Sequence, residues 1–159
     1  MTAAISVTTI VDVDRQDAFE VFTRETDSWW RRGPRFRFLP DVPATLRFEG
    51  EAGGRLIEVD EAGSEFEVGR ILVWKPGELL RFEFRALRFE PGQTTEVEVR
   101  FEPVPGGTRV SIDHRGWESL AEDHPARHGL TGPAFDDMIS VWWGDLLVSL
   151  LRRAGLRSA

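Results

Sequence analysis

The residues best suited to hold a small molecule lie in the inward-facing phase of two predicted strands. His114 follows the apolar residues Val110 and Ile112 at period two, and Arg70 shares a phase with Trp74. An imidazole or a guanidinium that faces an apolar interior can orient a ligand by hydrogen bonding, and an imidazole can also move a proton. These two side chains are therefore the predicted polar contacts of a binding cavity.

Both side chains also have a purely structural interpretation. His114 stands near a strand end, where a neighbouring backbone group or carboxylate can satisfy its imidazole. Arg70 can pair with Glu58 or Asp113, and the opposite phase of its strand is also apolar, so the direction of the arginine stays open. The sequence leaves a ligand contact and a structural role as alternatives for each residue.

Aromatic residues supply the rest of the predicted binding site. The chain has six Trp and eleven Phe but no Tyr, and four of the tryptophans form adjacent pairs at 29–30 and 142–143. Aromatic side chains bury large apolar areas, and two adjacent pairs exceed what a core usually needs. A cavity lined by aromatic rings is therefore expected. The predicted ligand contacts are Trp30, Arg70, Trp74, Phe82, Phe84, His114, Trp117, Ile139, Trp142 and Trp143.

Standard catalytic and metal-binding signatures are missing from the sequence. The chain has no cysteine, which excludes disulfides and thiolate ligands, and no G-x-S-x-G, P-loop or G-x-G-x-x-G motif occurs. His124 and His128 could share a zinc ion only on one helical face with a third ligand, and Pro125 and Gly129 favour a loop there. The sequence thus predicts no catalytic residue, no metal site and no cofactor, and it leaves open whether the protein is an enzyme.

The composition is typical of a soluble domain. The 159 residues carry a net charge of −7, with 41% hydrophobic and 30% charged residues. No apolar run is long enough for a membrane span, no signal peptide is evident and no linker divides the chain, so one domain over 1–159 in the cytoplasm is expected. The acidic balance argues against nucleic-acid binding. The basic stretch 31–37 is expected to be a solvated loop, or to contact an anion or acidic partner at the mouth of the pocket.

The elements that would position these side chains follow from periodicity. Asp14 is a predicted helix N-cap after a first strand at 5–13, and two short helices are expected before Gly33. A long amphipathic helix is predicted over 133–153. Short connections imply antiparallel neighbours, so the expected fold is α+β, with a curved antiparallel sheet wrapped around the C-terminal helix. Turn signals separate strands predicted at 35–39, 43–49, 54–60, 65–75, 78–88, 94–103 and 107–117.

Two stretches of the chain resemble a known family. GGRLIEVDEAGSEFEVGRILVWKPGELLRFEFRA, followed by TEVEVRFEPVPGGTRVSIDHRGWESL, is similar to the bacterial branch of the activators of the ninety-kilodalton heat-shock protein ATPase, within the START-like SRPBCC superfamily. The likeness covers nearly the entire chain, and PVPGGTRVSIDHRGW is its most specific part.

The resemblance implies a helix-grip fold of the START-like and Bet v-like kind, with a deep apolar pocket between the sheet and the C-terminal helix. Members of the superfamily carry lipids, polyketides, plant hormones or other apolar molecules, and some cyclise or dehydrate polyketides in the same pocket. Members of the eukaryotic branch stimulate the chaperone's ATPase as part of a larger protein. The family has no catalytic motif that could be transferred to residues of this chain.

Three functions are compatible with this pattern. The leading hypothesis is the binding of a small hydrophobic or aromatic molecule, with a link to stress implied by the resemblance. The first alternative is an enzyme of the polyketide cyclase or dehydratase type, with His114 as general acid or base. The second is a chaperone-associated interaction protein, in which the 31–37 stretch or the exposed residues Val141, Val148 and Leu151 contact a chaperone or a second copy in a homodimer.

Overall fold

The computed structural model describes residues 4–39, 42–86 and 88–158. Its centre is a seven-stranded antiparallel sheet in the order β1-β7-β6-β5-β4-β3-β2. Successive strands from β2 to β7 are neighbours, as short turns require. The strands are β1 Ile5–Val11, β2 Ala44–Glu49, β3 Arg55–Asp60, β4 Glu65–Lys75, β5 Leu79–Phe84, β6 Thr95–Val104 and β7 Gly107–Arg115.

In the described part of the chain, three α-helices accompany the sheet. They are α1 Arg15–Arg24, α2 Thr26–Trp29 and α3 Gly132–Ser158, and two short 3₁₀ turns lie at Trp117–Ser119 and Pro125–Arg127. The predicted N-cap is confirmed, because the carboxylate of Asp14 accepts a hydrogen bond of 2.8 Å from the backbone N–H of Asp17.

The C-terminal helix is longer than the predicted range 133–153. Arginines at 152 and 153 suggested its negative end, but the helix continues to Ser158 and Arg157 occupies the last turn. Arg157 forms ion pairs with Asp17, Glu20 and Glu25 on the α1 side, at 2.9, 3.0 and 2.6 Å. These ion pairs connect the last turn of α3 to the α1 side, a long-range contact that the periodicity of the helix does not predict.

One face of α3 closes the core against the concave side of the sheet. Its buried residues recur at three- and four-residue intervals, as expected for a helix packed along one stripe. This arrangement confirms the predicted α+β helix-grip fold. The buried residues are Phe135, Ile139, Trp143, Leu146, Leu147, Leu150 and Ala154.

The prediction of a strand at 35–39 is wrong. The backbone N–H groups of Phe36 and Arg37 both donate to the carbonyl of Gly33, at 3.0 and 2.9 Å, which makes this segment a turn. The alternation of aromatic and basic residues imitates a strand, but Arg37 is buried with its neighbours instead of facing solvent. The first strand after α2 is therefore β2.

Two β-bulges in β4 reverse its alternation. Leu56 pairs with Gly69 while Ile57 pairs with Glu67, so Val68 is an extra residue on β4. A second register shift follows between Ile71 and Val73. Each bulge moves the following side chains to the opposite face and increases the bend of the sheet.

The first bulge overturns the inward orientation predicted for Arg70. The side chain is exposed, and its guanidinium donates to the carbonyl of Gly53 at 3.4 Å. Strict alternation from Val68 would have directed it into the core, but the extra residue places it on the outer face.

Of the described helices, none is both long enough and apolar enough to cross a membrane.

Candidate functional site

A cavity of about 430 Å³ lies at one end of the seam between the sheet and α3. The turn at 34–38, the end of β5, the segment 125–128 and the first half of α3 surround it. Six aromatic rings dominate its lining: Phe36, Phe38, Phe84, Phe89, Trp117 and Trp142. The remaining length of the seam is filled by the buried side chains of α3.

Trp142 joins α3 to the turn that covers the cavity. Its indole N–H donates to the carbonyl of Arg35 at 2.8 Å, and its ring stacks on Phe36 with centroids 5.9 Å apart. Phe38, in the same turn, stacks on Phe66 of β4 at 5.5 Å and meets Phe84 at 5.9 Å. The turn is therefore held by aromatic contacts on both sides.

A buried ionic network fixes the base of this turn. The carboxylate of Glu58 is inaccessible to solvent and accepts hydrogen bonds from the backbone N–H groups of Phe38 and Leu39. Arg37 bridges Glu58, at 3.4 Å, and Asp27, at 2.7 Å. A buried carboxylate is tolerated only when it is paired and hydrogen-bonded, and both conditions are met.

His114 faces inward, as its phase predicted, and both of its ring nitrogens are hydrogen-bonded. The indole N–H of Trp143 donates to Nδ1 at 3.0 Å, so the proton of the neutral ring must reside on Nε2. Nε2 then donates to the Thr95 hydroxyl at 2.7 Å, and that hydroxyl donates to the carbonyl of Phe84 at 3.1 Å. Donors and acceptors alternate along the whole chain of hydrogen bonds.

Burial lowers the pKa of His114 to about 3. A second proton on the ring would also direct Nδ1–H at the indole N–H of Trp143. His114 is therefore neutral at physiological pH and serves as a connector between α3, β6 and β7. With both nitrogens occupied, the arrangement matches the structural interpretation of this residue and leaves it no free position for proton transfer.

Half of the ten predicted ligand contacts line the cavity: Phe84, His114, Trp117, Ile139 and Trp142. Trp30, Phe82 and Trp143 lie in the solid core. Trp30 supports the cavity from behind, with ring centroids 5.8 Å from those of Trp142. Trp74 is half-buried against Phe19 at 5.1 Å, outside the cavity lining, and Arg70 is on the outer face.

Sequence reasoning missed the turn residues of the site and those that follow β5. Phe36 and Phe38 belong to a predicted strand and were not assigned to the cavity, although their spacing of two residues placed them on one side. The strand predicted at 78–88 ends with Arg88 and leaves Phe89 unassigned, but β5 ends at Phe84 and the following chain bends over the cavity. No local signal marks that bend.

The two histidines of the HPARH sequence do not converge. His124 accepts a hydrogen bond from the N–H of Ala126 through Nδ1 and meets Gln93 at 2.9 Å through Nε2, whereas His128 is exposed. Within the ranges that the structure describes, no group of three His, Cys, Asp or Glu residues could hold a metal ion.

A second hollow, of about 730 Å³, lies outside the seam beside β2 and β3. Arg32, Arg37 and Glu58 contribute to its lining, and all three already form ion pairs within the protein. A ligand there would compete with those pairs, so the aromatic cavity is the better candidate site.

Solved structures with this fold cover almost the whole chain. The self-sacrificing resistance protein CalC from Micromonospora echinospora is 24% identical, with a TM-score of 0.67 over 98% of this chain and 96% of that one. An AHSA1-like protein from Aeromonas hydrophila is 15% identical, with a TM-score of 0.63 over 96% and 92% of the two chains. These similarities establish the fold.

The Aha1 dimer from Colwellia psychrerythraea has the same fold, at 14% identity and a TM-score of 0.62 over 94% of this chain and 93% of that one. Among curated proteins, none matches the sequence. A family model does match residues 12–137, from the end of β1 into α3, and its description is Activator of Hsp90 ATPase homolog 1-like protein. Because that match covers well over half of the 159 residues, the chain belongs to the family of Activator of Hsp90 ATPase homolog 1-like proteins.

Proposed function

We propose that the protein binds a small hydrophobic or aromatic molecule in the cavity between the sheet and the first half of α3. The observation that carries the proposal is a cavity of about 430 Å³ with six aromatic rings in its lining. Ligand sites typically measure 300–1,000 Å³ and combine apolar walls with a few polar groups. The volume and the lining both fall within that description.

The surroundings of the cavity support a preformed site. The 34–38 turn is held by Glu58 from below and by Trp142 from α3. Rings fixed in this way lose little conformational entropy when a ligand is bound, so apolar contact translates efficiently into affinity. The saturated hydrogen bonds of His114 favour binding over a reaction that uses this residue as acid or base.

The proposal is tested with N-phenyl-1-naphthylamine, an uncharged dye whose emission rises in apolar surroundings. The wild-type protein should bind the dye saturably. Ala86 lines the cavity, and an Ala86→Phe substitution would place a ring in the ligand's space and weaken binding by at least about tenfold. Ala62→Phe, in the exposed β3–β4 turn, is the matched control and should bind like the wild type.

Thermal melting of each variant separates loss of the site from loss of the fold. A folded Ala86→Phe protein that binds the dye as tightly as the wild type would overturn the proposal, as would a wild-type protein that does not bind it.

The partner surface predicted on the back of α3 remains a prediction: Val141, Val148 and Leu151 are exposed there, at 56%, 47% and 38%.

A further inference from the structure

The cavity has an unusual charge balance for this chain. The protein as a whole has 27 Asp and Glu residues against 20 Lys and Arg. The described residues that line the cavity nevertheless include three arginines, Arg35, Arg37 and Arg88, and no Asp or Glu. Charges of one sign around a low-dielectric cleft concentrate the electric field inside it.

Two of these arginines already have carboxylate partners. Arg35 is 3.1 Å from Asp145, and Arg37 pairs with Asp27 and Glu58. The basic stretch predicted to contact an anion is thus largely neutralised by the protein itself. Arg88 differs, because it is an exposed residue whose side chain has no hydrogen bond or ion pair with any described residue.

A second donor without a partner belongs to Trp117. This residue lines the cavity and is 6% exposed, and its indole nitrogen is buried without a hydrogen-bond partner among the described residues. Trp30, Trp142 and Trp143 satisfy theirs, because they donate to the carbonyls of Phe36 and Arg35 and to the ring of His114, respectively. The N–H of Trp117 is therefore an unsatisfied donor within the wall of the cavity.

We infer that the preferred ligand is an aromatic acid, in which an apolar ring system fills the cavity and a carboxylate or sulfonate group meets Arg88 at its edge. The inference rests on the proposed function, and it specifies the class of ligand. The described lining provides an unpaired guanidinium and no carboxylate, so an amine or a cation of the same shape would be disfavoured.

A pair of dyes separates the charge from the ring system. The anionic probe 8-anilinonaphthalene-1-sulfonate and uncharged N-phenyl-1-naphthylamine share their rings and differ in the sulfonate. Arg88→Gln should weaken binding of the anionic dye by about fivefold, as expected for a partly exposed ion pair, and leave the uncharged dye unaffected. Arg109→Gln removes the same charge from an exposed position of β7 outside the cavity lining, and it should change neither affinity.

Salt provides a second measurement on the same proteins. Raising the salt concentration should weaken binding of the anionic dye to the wild-type protein and have little effect on its binding to Arg88→Gln.

The outcomes distinguish this inference from the proposed function. If the uncharged dye binds but Arg88→Gln leaves the anionic dye unchanged, or weakens both dyes equally, the inference is wrong and the binding function stands. If neither dye binds the wild-type protein, the proposed function fails and the inference fails with it.

Discussion

The hydrogen bonds of His114 predict a specific dependence of stability on pH. In the folded protein the ring is neutral, because burial lowers its pKa to about 3. In the unfolded chain a histidine has a pKa of about 6.5. Between these values the unfolded state binds one proton that the folded state does not, so the free energy of unfolding decreases as the pH falls. The contribution is complete above pH 6.5 and is lost progressively below it.

The magnitude follows from the two pKa values. Each pH unit within the window costs about 1.4 kcal/mol per proton, so acidification from pH 7 to pH 5 should remove about 2 kcal/mol of stability through this residue. Because the folded pKa of about 3 lies below this pH range, the size of the loss in stability is set by the pKa of the histidine in the unfolded chain. The carboxylates with lowered pKa values, Asp27 and Asp113, lose their charge below this window.

Urea unfolding at intervals between pH 5 and pH 7.5 measures this contribution. His114→Gln replaces the imidazole by an amide that does not titrate, and the free-energy difference between wild type and variant should shrink by about 2 kcal/mol from pH 7 to pH 5. His128→Asn is the control, because His128 is exposed and its φ of 50° is one that Asn tolerates.

The free energy of unfolding of His128→Asn should follow the pH dependence of the wild type far more closely than that of His114→Gln does. A difference between wild type and His114→Gln that stays constant over the whole pH range would refute the neutral, hydrogen-bonded state of the ring.

Two further perturbations test the packing around the site. Glu58→Gln should cost about 2 kcal/mol in urea unfolding and weaken dye binding, because the N–H groups of Phe38 and Leu39 lose a charged acceptor; unchanged values would exclude Glu58 as the anchor of the turn. Gly69→Ala should cost more than about 3 kcal/mol, since its Cβ would lie 1.7 Å from the carbonyl oxygen of Glu83. Gly144→Ala in α3 meets nothing within 4 Å and should stabilise by about 0.5–1 kcal/mol, so equal effects of the two glycine substitutions on Tm would contradict this packing.

Much of the architecture could be predicted because it depends on local patterns. The strand predicted at 65–75 coincides with β4, Glu65–Lys75, and the N-cap at Asp14 is present. The broad apolar face of the C-terminal helix predicted its position over the sheet. Periodicity and capping express the preferences of a few consecutive residues, so they can be read before the fold is known.

The wrong predictions concern segments whose conformation depends on residues distant in the sequence. The segment 35–39 alternates like a strand, but Glu58, about twenty positions away, accepts its backbone N–H groups and holds it in a turn. An inward Arg70, one of the two directions that the pattern of its strand leaves open, requires continuous alternation, and the extra residue Val68 appears only in the register between β3 and β4. Neither effect leaves a signal in the local sequence.

The sequence alone determined the α+β class, most of the strands and the excess of aromatic side chains, since these are properties of neighbouring residues and composition. The tertiary structure decided where the aromatic rings leave space and which donors remain unpaired. Arg35 meets Asp145 across more than a hundred residues, whereas among the described residues Arg88 has no carboxylate partner and the indole N–H of Trp117 has no acceptor. Pairings of that kind depend on positions in space, and a one-dimensional pattern does not encode them.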